Sequence, residues 1–192
     1  MTHELNNSLY LFRQQGLLLH RLRTWFHDYG YQEVYTPALV QSPALEEYLE
    51  AISIGELYLH TSPEFGMKKL LALGLPRIYQ ISSCYRKEEL GRHHSTEFRM
   101  LEWYRVGASF WDIMDEVVVL ITHLAKSLGK ELPTFERIPS TALLSPDLSP
   151  EEWFFQWVDQ IEPNLPPACI IYDYPAWQSA LARKRGSVAA RF

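Results

Sequence analysis

Arg77-Ile78-Tyr79-Gln80-Ile81-Ser82-Ser83-Cys84-Tyr85-Arg86, then a charged run from Lys87 to Thr96, then Glu97-Phe98-Arg99-Met100-Leu101-Glu102-Trp103-Tyr104-Arg105 is the stretch on which the reading of this chain turns. Both flanks alternate as strands do. Side chains on a strand point to opposite faces in turn, so Gln80, Ser82, Cys84 and Arg86 share one face and Tyr79, Ile81, Ser83 and Tyr85 the other. On the second flank Phe98, Met100, Glu102 and Tyr104 fall together. The two read as a long antiparallel hairpin whose connection exceeds the roughly two to five residues a hairpin needs, and long ordered loops more often serve function than structure.

An aromatic ring, a carboxylate and a phenol on one face can stack a flat base and hold an ammonium group. The same residues also fit a mixed surface sheet with solvated charges, on which Phe98 and Tyr104 merely pack. Arg86, Lys87, Glu88, Glu89, Arg92, His93 and His94 bring both charge signs to the hairpin tip, which suits a triphosphate nucleotide better than a generic turn. Adjacent side chains on an extended segment diverge, so His93 and His94 are not expected to ligate a metal, and no metal ligand is assigned in this chain.

Outward from the hairpin, Leu18, Leu22, Trp25, Phe26 and Tyr29 recur at helical spacing within a helix expected from about Leu9 to Tyr29, with Gly30 at its C-cap. Gln32 to Thr36 reads as a strand stopped by Pro37, and Glu56 to His60 as another. Ser62 is placed as the N-cap of a helix with Pro63 in its first turn and Gly74 as its stop, although this is also an ordinary helix start with no further role. Phe110 to Leu128 is strongly periodic and ends at Gly129. Pro133 to Pro150 reads as an irregular insertion, followed by a short helix from Ser149-Pro150-Glu151, a strand from Ala168 to Tyr172 and a basic stretch, Arg183-Lys184-Arg185. The elements sum to an α+β fold in which helices flank a mostly antiparallel sheet.

The 192 residues, 47% of them hydrophobic, suffice for one core, so residues 1–192 are expected to form a single domain. A formal net charge of -5 argues against a surface that grips nucleic-acid backbone. Cys84 and Cys169 lack paired spacing, as in a reduced protein. No apolar run approaches the roughly 18 residues that span a bilayer, and the expectation is a cytoplasmic protein without a membrane partner.

Three ordered blocks carry a resemblance. Tyr85-Arg86-Lys87-Glu88-Glu89, with His94, Glu97-Phe98 and Met100-Leu101-Glu102-Trp103-Tyr104, closely resembles motif 2 of class II lysyl-tRNA synthetases and their paralogues, the elongation factor P lysine ligases. His60-Thr61-Ser62-Pro63-Glu64 through Met67-Lys68-Lys69-Leu70 matches too, as does the motif 1 run Gly30-Tyr31-Gln32-Glu33-Val34-Tyr35-Thr36-Pro37. The resemblance implies a partial class II synthetase-like catalytic domain that uses ATP and Mg2+. It implies that Arg86 holds the α-phosphate and serves catalysis, that Glu88 meets the adenine amino group, that His94 meets the phosphates, and that Phe98 covers the adenine face. It places Glu64 at the substrate's α- or β-amino group, Ser62 among the substrate-binding residues, and Glu102 and Tyr104 at the distal amine of lysine.

The implied reaction is activation of lysine or β-lysine as an aminoacyl-adenylate and transfer to a lysine of elongation factor P. Motif 1 begins almost at once, without an anticodon-binding fold ahead of it, and Ser62 resembles the paralogue, which favours that acceptor over tRNA-Lys. A lysyl-tRNA synthetase core and a non-catalytic synthetase-like binding or regulatory protein stay open as rivals. Motif 1 also implies a homodimer. Two features depart from the pattern. Ser95 and Thr96 stand where the family shows Asn and Pro, so Ser95 takes the Asn's place at the nucleotide. Asp173-Tyr174-Pro175 and Val188 to Phe192 resemble the segment just before the strand with the magnesium-binding carboxylates, so the chain is expected to lack its C-terminal strands, with motif 3, and to have low activity by itself.

Overall fold

The computed structural model describes residues 2–43, 49–87, 91, 94–179 and 181–190. They form two compact units, residues 1–107 and 108–192.

In the first unit, helix α1 (Thr2–Asp28) starts well before the expected Leu9. It buries Leu22, Trp25 and Phe26 near its end and leaves Leu9, Tyr10, Leu11 and Phe12 exposed. Gly30, at φ 74°, turns the chain into strand β1 (Gln32–Glu33). The expected strand to Thr36 is cut short for a specific reason. Val34 still donates to Tyr79 O, but the Thr36 N–H turns to the Gln80 side chain, Oε1 at 3.1 Å, instead of the ladder. Strands β2 (Leu39–Val40), β3 (Ser53–Ile54) and β4 (Leu57–Leu59) form a separate antiparallel sheet in the order β2-β4-β3.

Helix α2 (Glu64–Ala72) follows, closed at Gly74 with φ 102°. Ser62 is not its N-cap as expected: Pro63 holds that position and supplies no side-chain cap. Ser62 Oγ still accepts from the Glu64 N–H at 3.1 Å, while its own hydrogen goes elsewhere. Gly66 lies against the loop after β1, where an added Cβ would meet Thr36 Cβ at 2.7 Å and Cγ2 at 2.8 Å.

Strands β5 (Arg77–Tyr85) and β6 (Glu97–Arg105) pair antiparallel from Arg77↔Arg105 to Tyr85↔Glu97, and β1 joins β5 in parallel. Directly opposed residues share a face. The pairs Ile78↔Tyr104, Gln80↔Glu102, Ser82↔Met100 and Cys84↔Phe98 therefore build the polar face that alternation predicts. The opposite face packs on α1, with Tyr79 stacked on Phe26 at 4.3 Å and Trp103 edge-on to it at 5.7 Å. On the polar side, Ile78 joins Met67 and Val34 in a core bordered by Leu70, Leu71, Leu75 and Tyr104. This packing covers the Ile78 end and leaves Gln80 to Phe98 for polar chemistry.

In the second unit, α3 (Phe110–Ser127) opens with a capping box between Ser109 and Asp112. The stretch 133–150, expected to be irregular, contains β7 (Glu136–Pro139), which pairs in parallel with β8 (Cys169–Tyr172), and a 3-10 turn at Ser140–Ala142. Four residues are too few for a period to register, and Pro139 disguises the last of them. Helix α4 (Pro150–Gln156) is capped by Ser149 and Glu152 and runs on into a π-helical turn, Trp157–Ile161. Trp153 and Trp157 stack there at 4.8 Å. The basic stretch lies in a small hairpin of β9 (Lys184–Arg185) and β10 (Val188–Ala189), where Arg185 reaches Asp173 at 3.3 Å and covers Phe110. Both cysteines are free. Among the described residues no helix is long and apolar enough to cross a membrane.

Candidate active site

The turn before α2, the start of α2 and strand β6 bring their side chains to the polar face of the hairpin. Ser62 Oγ donates to Glu102 Oε2 at 2.7 Å, and the Tyr104 hydroxyl donates to Glu102 Oε1 at 2.5 Å. Glu102 and Tyr104 are two apart on one strand, so the period of the strand itself puts the phenol beside the carboxylate. With one hydroxyl on each oxygen the carboxylate is fixed in orientation, yet it keeps acceptor capacity on both.

Burial pushes the Glu102 carboxyl up from its ordinary value. The hydrogen bonds from Tyr104 and Ser62 oppose that shift, nearby Glu64 adds to it, and Lys68 counters it. Burial, and then the bond to Glu102, drives the Tyr104 phenol up as well, so it stays a donor. Glu64, on the first turn of α2, accepts from Lys68 Nζ at 2.5 Å; its side chain is 17% exposed against 43% for the lysine.

Farther along the face the Arg86 guanidinium lies over the Phe98 ring, 5.0 Å from its centroid. Phe98 and Glu102 are four residues apart on an extended strand, about 13 Å. The backbone N–H of Arg86 donates to Thr96 O at 3.0 Å, which carries the pairing past the end of β5. Lys87 is anchored to Glu50 through its backbone N–H at 2.8 Å and its ammonium at 2.6 Å. On the same face, burial pushes the Cys84 thiol up, against the opposing contact with Ser82 and with a further push from Glu102, which disfavours the thiolate.

Of the residues singled out in the sequence, Ser62, Glu64, Glu102 and Tyr104 come together at one end of the face, and Arg86 and Phe98 lie toward the other. His94 and Ser95 sit on the exposed loop, where His94 exchanges backbone hydrogen bonds with Gly91. Glu88 lies outside the described residues. Among the described residues no three His, Cys, Asp or Glu side chains gather as a metal site.

A family model described as tRNA synthetases class II (D, K and N) matches residues 4–190. The chain belongs to that family. Relatives named elongation factor P--(R)-beta-lysine ligase share 35% identity over 92% of this chain in Vibrio vulnificus (strain YJ016), 39% over 65% in Vibrio atlanticus (strain LGP32), and 32% over 92% in Vibrio cholerae serotype O1 (strain ATCC 39315 / El Tor Inaba N16961). These matches cover 66%, 42% and 66% of the respective relatives, so the chain spans two thirds of their length or less.

Two residues of this class II synthetase-family chain escaped the sequence reading. Gln80, 2% exposed, ties the loop after β1 to the hairpin, and its place on the polar face was the available signal. Lys68, the partner of Glu64, was legible only as helix spacing, four residues on.

Proposed function

We propose that this chain is the ATP- and lysine-binding part of a cytoplasmic ligase that activates lysine or (R)-β-lysine as an aminoacyl-adenylate and passes it to a lysine of elongation factor P. The observation that carries the reading is the bonded set Ser62, Glu102 and Tyr104. A carboxylate held half-buried by two hydroxyl donors is costly without a cation, and a ligand ammonium offsets that cost through a charge-assisted bond. In this reading Glu102 and Tyr104 take the distal amine, and Ser62 and Glu64 the amine nearer the reacting carboxyl group.

About 13 Å along the strand, Phe98 offers a ring face to adenine and Arg86 paired donors to the α-phosphate. Glu88, His94 and Ser95, which lie between the two strands in sequence, are assigned to the nucleotide. The amino acid carboxylate attacks the α-phosphorus, a P–O bond forms and pyrophosphate leaves; being already ionised, it needs no base. The acceptor amine then attacks the carbonyl carbon, an amide forms, AMP leaves and the amine gives up a proton. Arg86 offsets the charge that builds on the α-phosphate, and positioning does the rest. Magnesium would travel with the nucleotide phosphates, and among the described residues no group of three His, Cys, Asp or Glu side chains gathers to hold it.

The names of the relatives and the net charge of -5 favour a protein acceptor over tRNA-Lys. The exposed apolar residues Leu9 to Phe12 near the start of α1 support a homodimer, since apolar patches of this kind are ordinarily covered. Calorimetric titration tests the amine pocket: lysine and (R)-β-lysine bind saturably, whereas norleucine, which lacks the distal amine, does not. Equal binding of norleucine overturns the reading. Incubation with ATP and labelled lysine then assigns the acceptor, and label on tRNA alone removes elongation factor P.

A further inference from the structure

Glu64 and Glu102 place two carboxylates at one site, and Lys68 bonds the first and acts electrostatically on the second. The geometry points to Lys68 as the resident counter-ion of the amine site: in the empty site its ammonium occupies, on Glu64 Oε1, the place the substrate's amine takes, and it withdraws when that amine arrives. This rests on the reading of Glu64 as an amine acceptor.

Three observations carry it. The contact is 2.5 Å, to a carboxylate whose side chain is only 17% exposed, so Lys68 is the first charge that any ligand cation meets on that oxygen. Glu64 precedes Lys68 by four residues on α2, the favourable order for a helical pair, which keeps the Glu64 side chain aimed at the ammonium. Lys68 also has somewhere to go. It borders an open cleft of about 890 Å³ between the loop Tyr35 to Pro43 and α2, with Phe65 and Lys69 along the same wall. The flexible four-carbon stem can swing its ammonium into that space.

A neutral ligand cannot replace this partner without leaving Glu64 uncompensated, so the pair selects for cationic nitrogen. Lys68 acts through Glu64, as a positioning residue that sets specificity.

Lys68→Met keeps the stem and removes the charge. The expected result is lysine binding tightened about two- to fivefold, the range an exposed ion pair supports, with ATP affinity unchanged and Lys68→Arg restoring the original value. Damage to the fold would loosen binding, so a gain separates the two causes. Unchanged or weaker lysine binding by Lys68→Met, in a chain whose unmodified form binds lysine, overturns the counter-ion role and leaves the amine site standing. Failure of the unmodified chain to bind lysine, or of Glu64→Gln to weaken binding, overturns the amine site and the counter-ion with it.

Discussion

Glu102 sits in a half-buried setting that favours its neutral form, although two hydroxyls bond to its charge. A carboxyl whose pKa is raised on folding binds protons in the folded state at pH values where the unfolded chain has released them. Stability therefore falls as pH rises from the unfolded value through the raised folded one. Glu102→Gln should keep or raise the thermal midpoint at pH 7 while weakening lysine binding about tenfold or more, the scale of a hydrogen bond to a charged group. Melting curves and calorimetry on the same variant check both arms. In the unmodified protein lysine affinity should drop as pH falls through the raised Glu102 value, and calorimetric titrations over a pH series would show where. At this scale the sequence was informative: a period of two was enough to put Phe98, Met100, Glu102 and Tyr104 on one face. It could not place the Lys68 ammonium, because a long side chain on a helix surface has several rotamers and only the folded neighbourhood selects one.

The α2 helix and the loop after β1 fit against each other through Gly66 and Thr36. Alanine at Gly66 would gain about 0.8–1 kcal/mol of helix propensity against an overpacking cost of about 1–3 kcal/mol. The cost should win, because the atoms it meets are Thr36 Cβ and Cγ2 and the Thr36 backbone is held by Gln80. Gly66→Ala should therefore lower the free energy of unfolding by about 1 kcal/mol, readable in urea denaturation. Long elements were legible from the chain alone: the nine-residue strands β5 and β6 and the 18-residue helix α3 each repeat their pattern several times. Short ones were not. β1 ends after two residues because a side-chain amide replaces its next ladder partner, and β7 is defined by a parallel partner far away in sequence.

Considered whole, the chain divides at Gly107 into two units, a division that composition gave no sign of because no linker-like run of Pro, Gly or Ser marks it. The first unit carries every described residue of the candidate site and also the exposed apolar residues near the start of α1. Leu9 and Phe12, one helical turn apart and 50% and 71% exposed, are the natural centre of the proposed dimer contact. Replacing both with Asp should shift the sedimenting species from dimer to monomer while lysine binding persists; a dimer that survives the change would place the contact elsewhere.

The half-open carboxylate pair has a practical consequence at the bench. Glu64 and Glu102 do not distinguish a substrate amine from any other small primary ammonium, so Tris or ammonium salts should act as weak competitors. The apparent KM for lysine is expected to rise with Tris concentration and to stay flat in phosphate or HEPES at the same ionic strength.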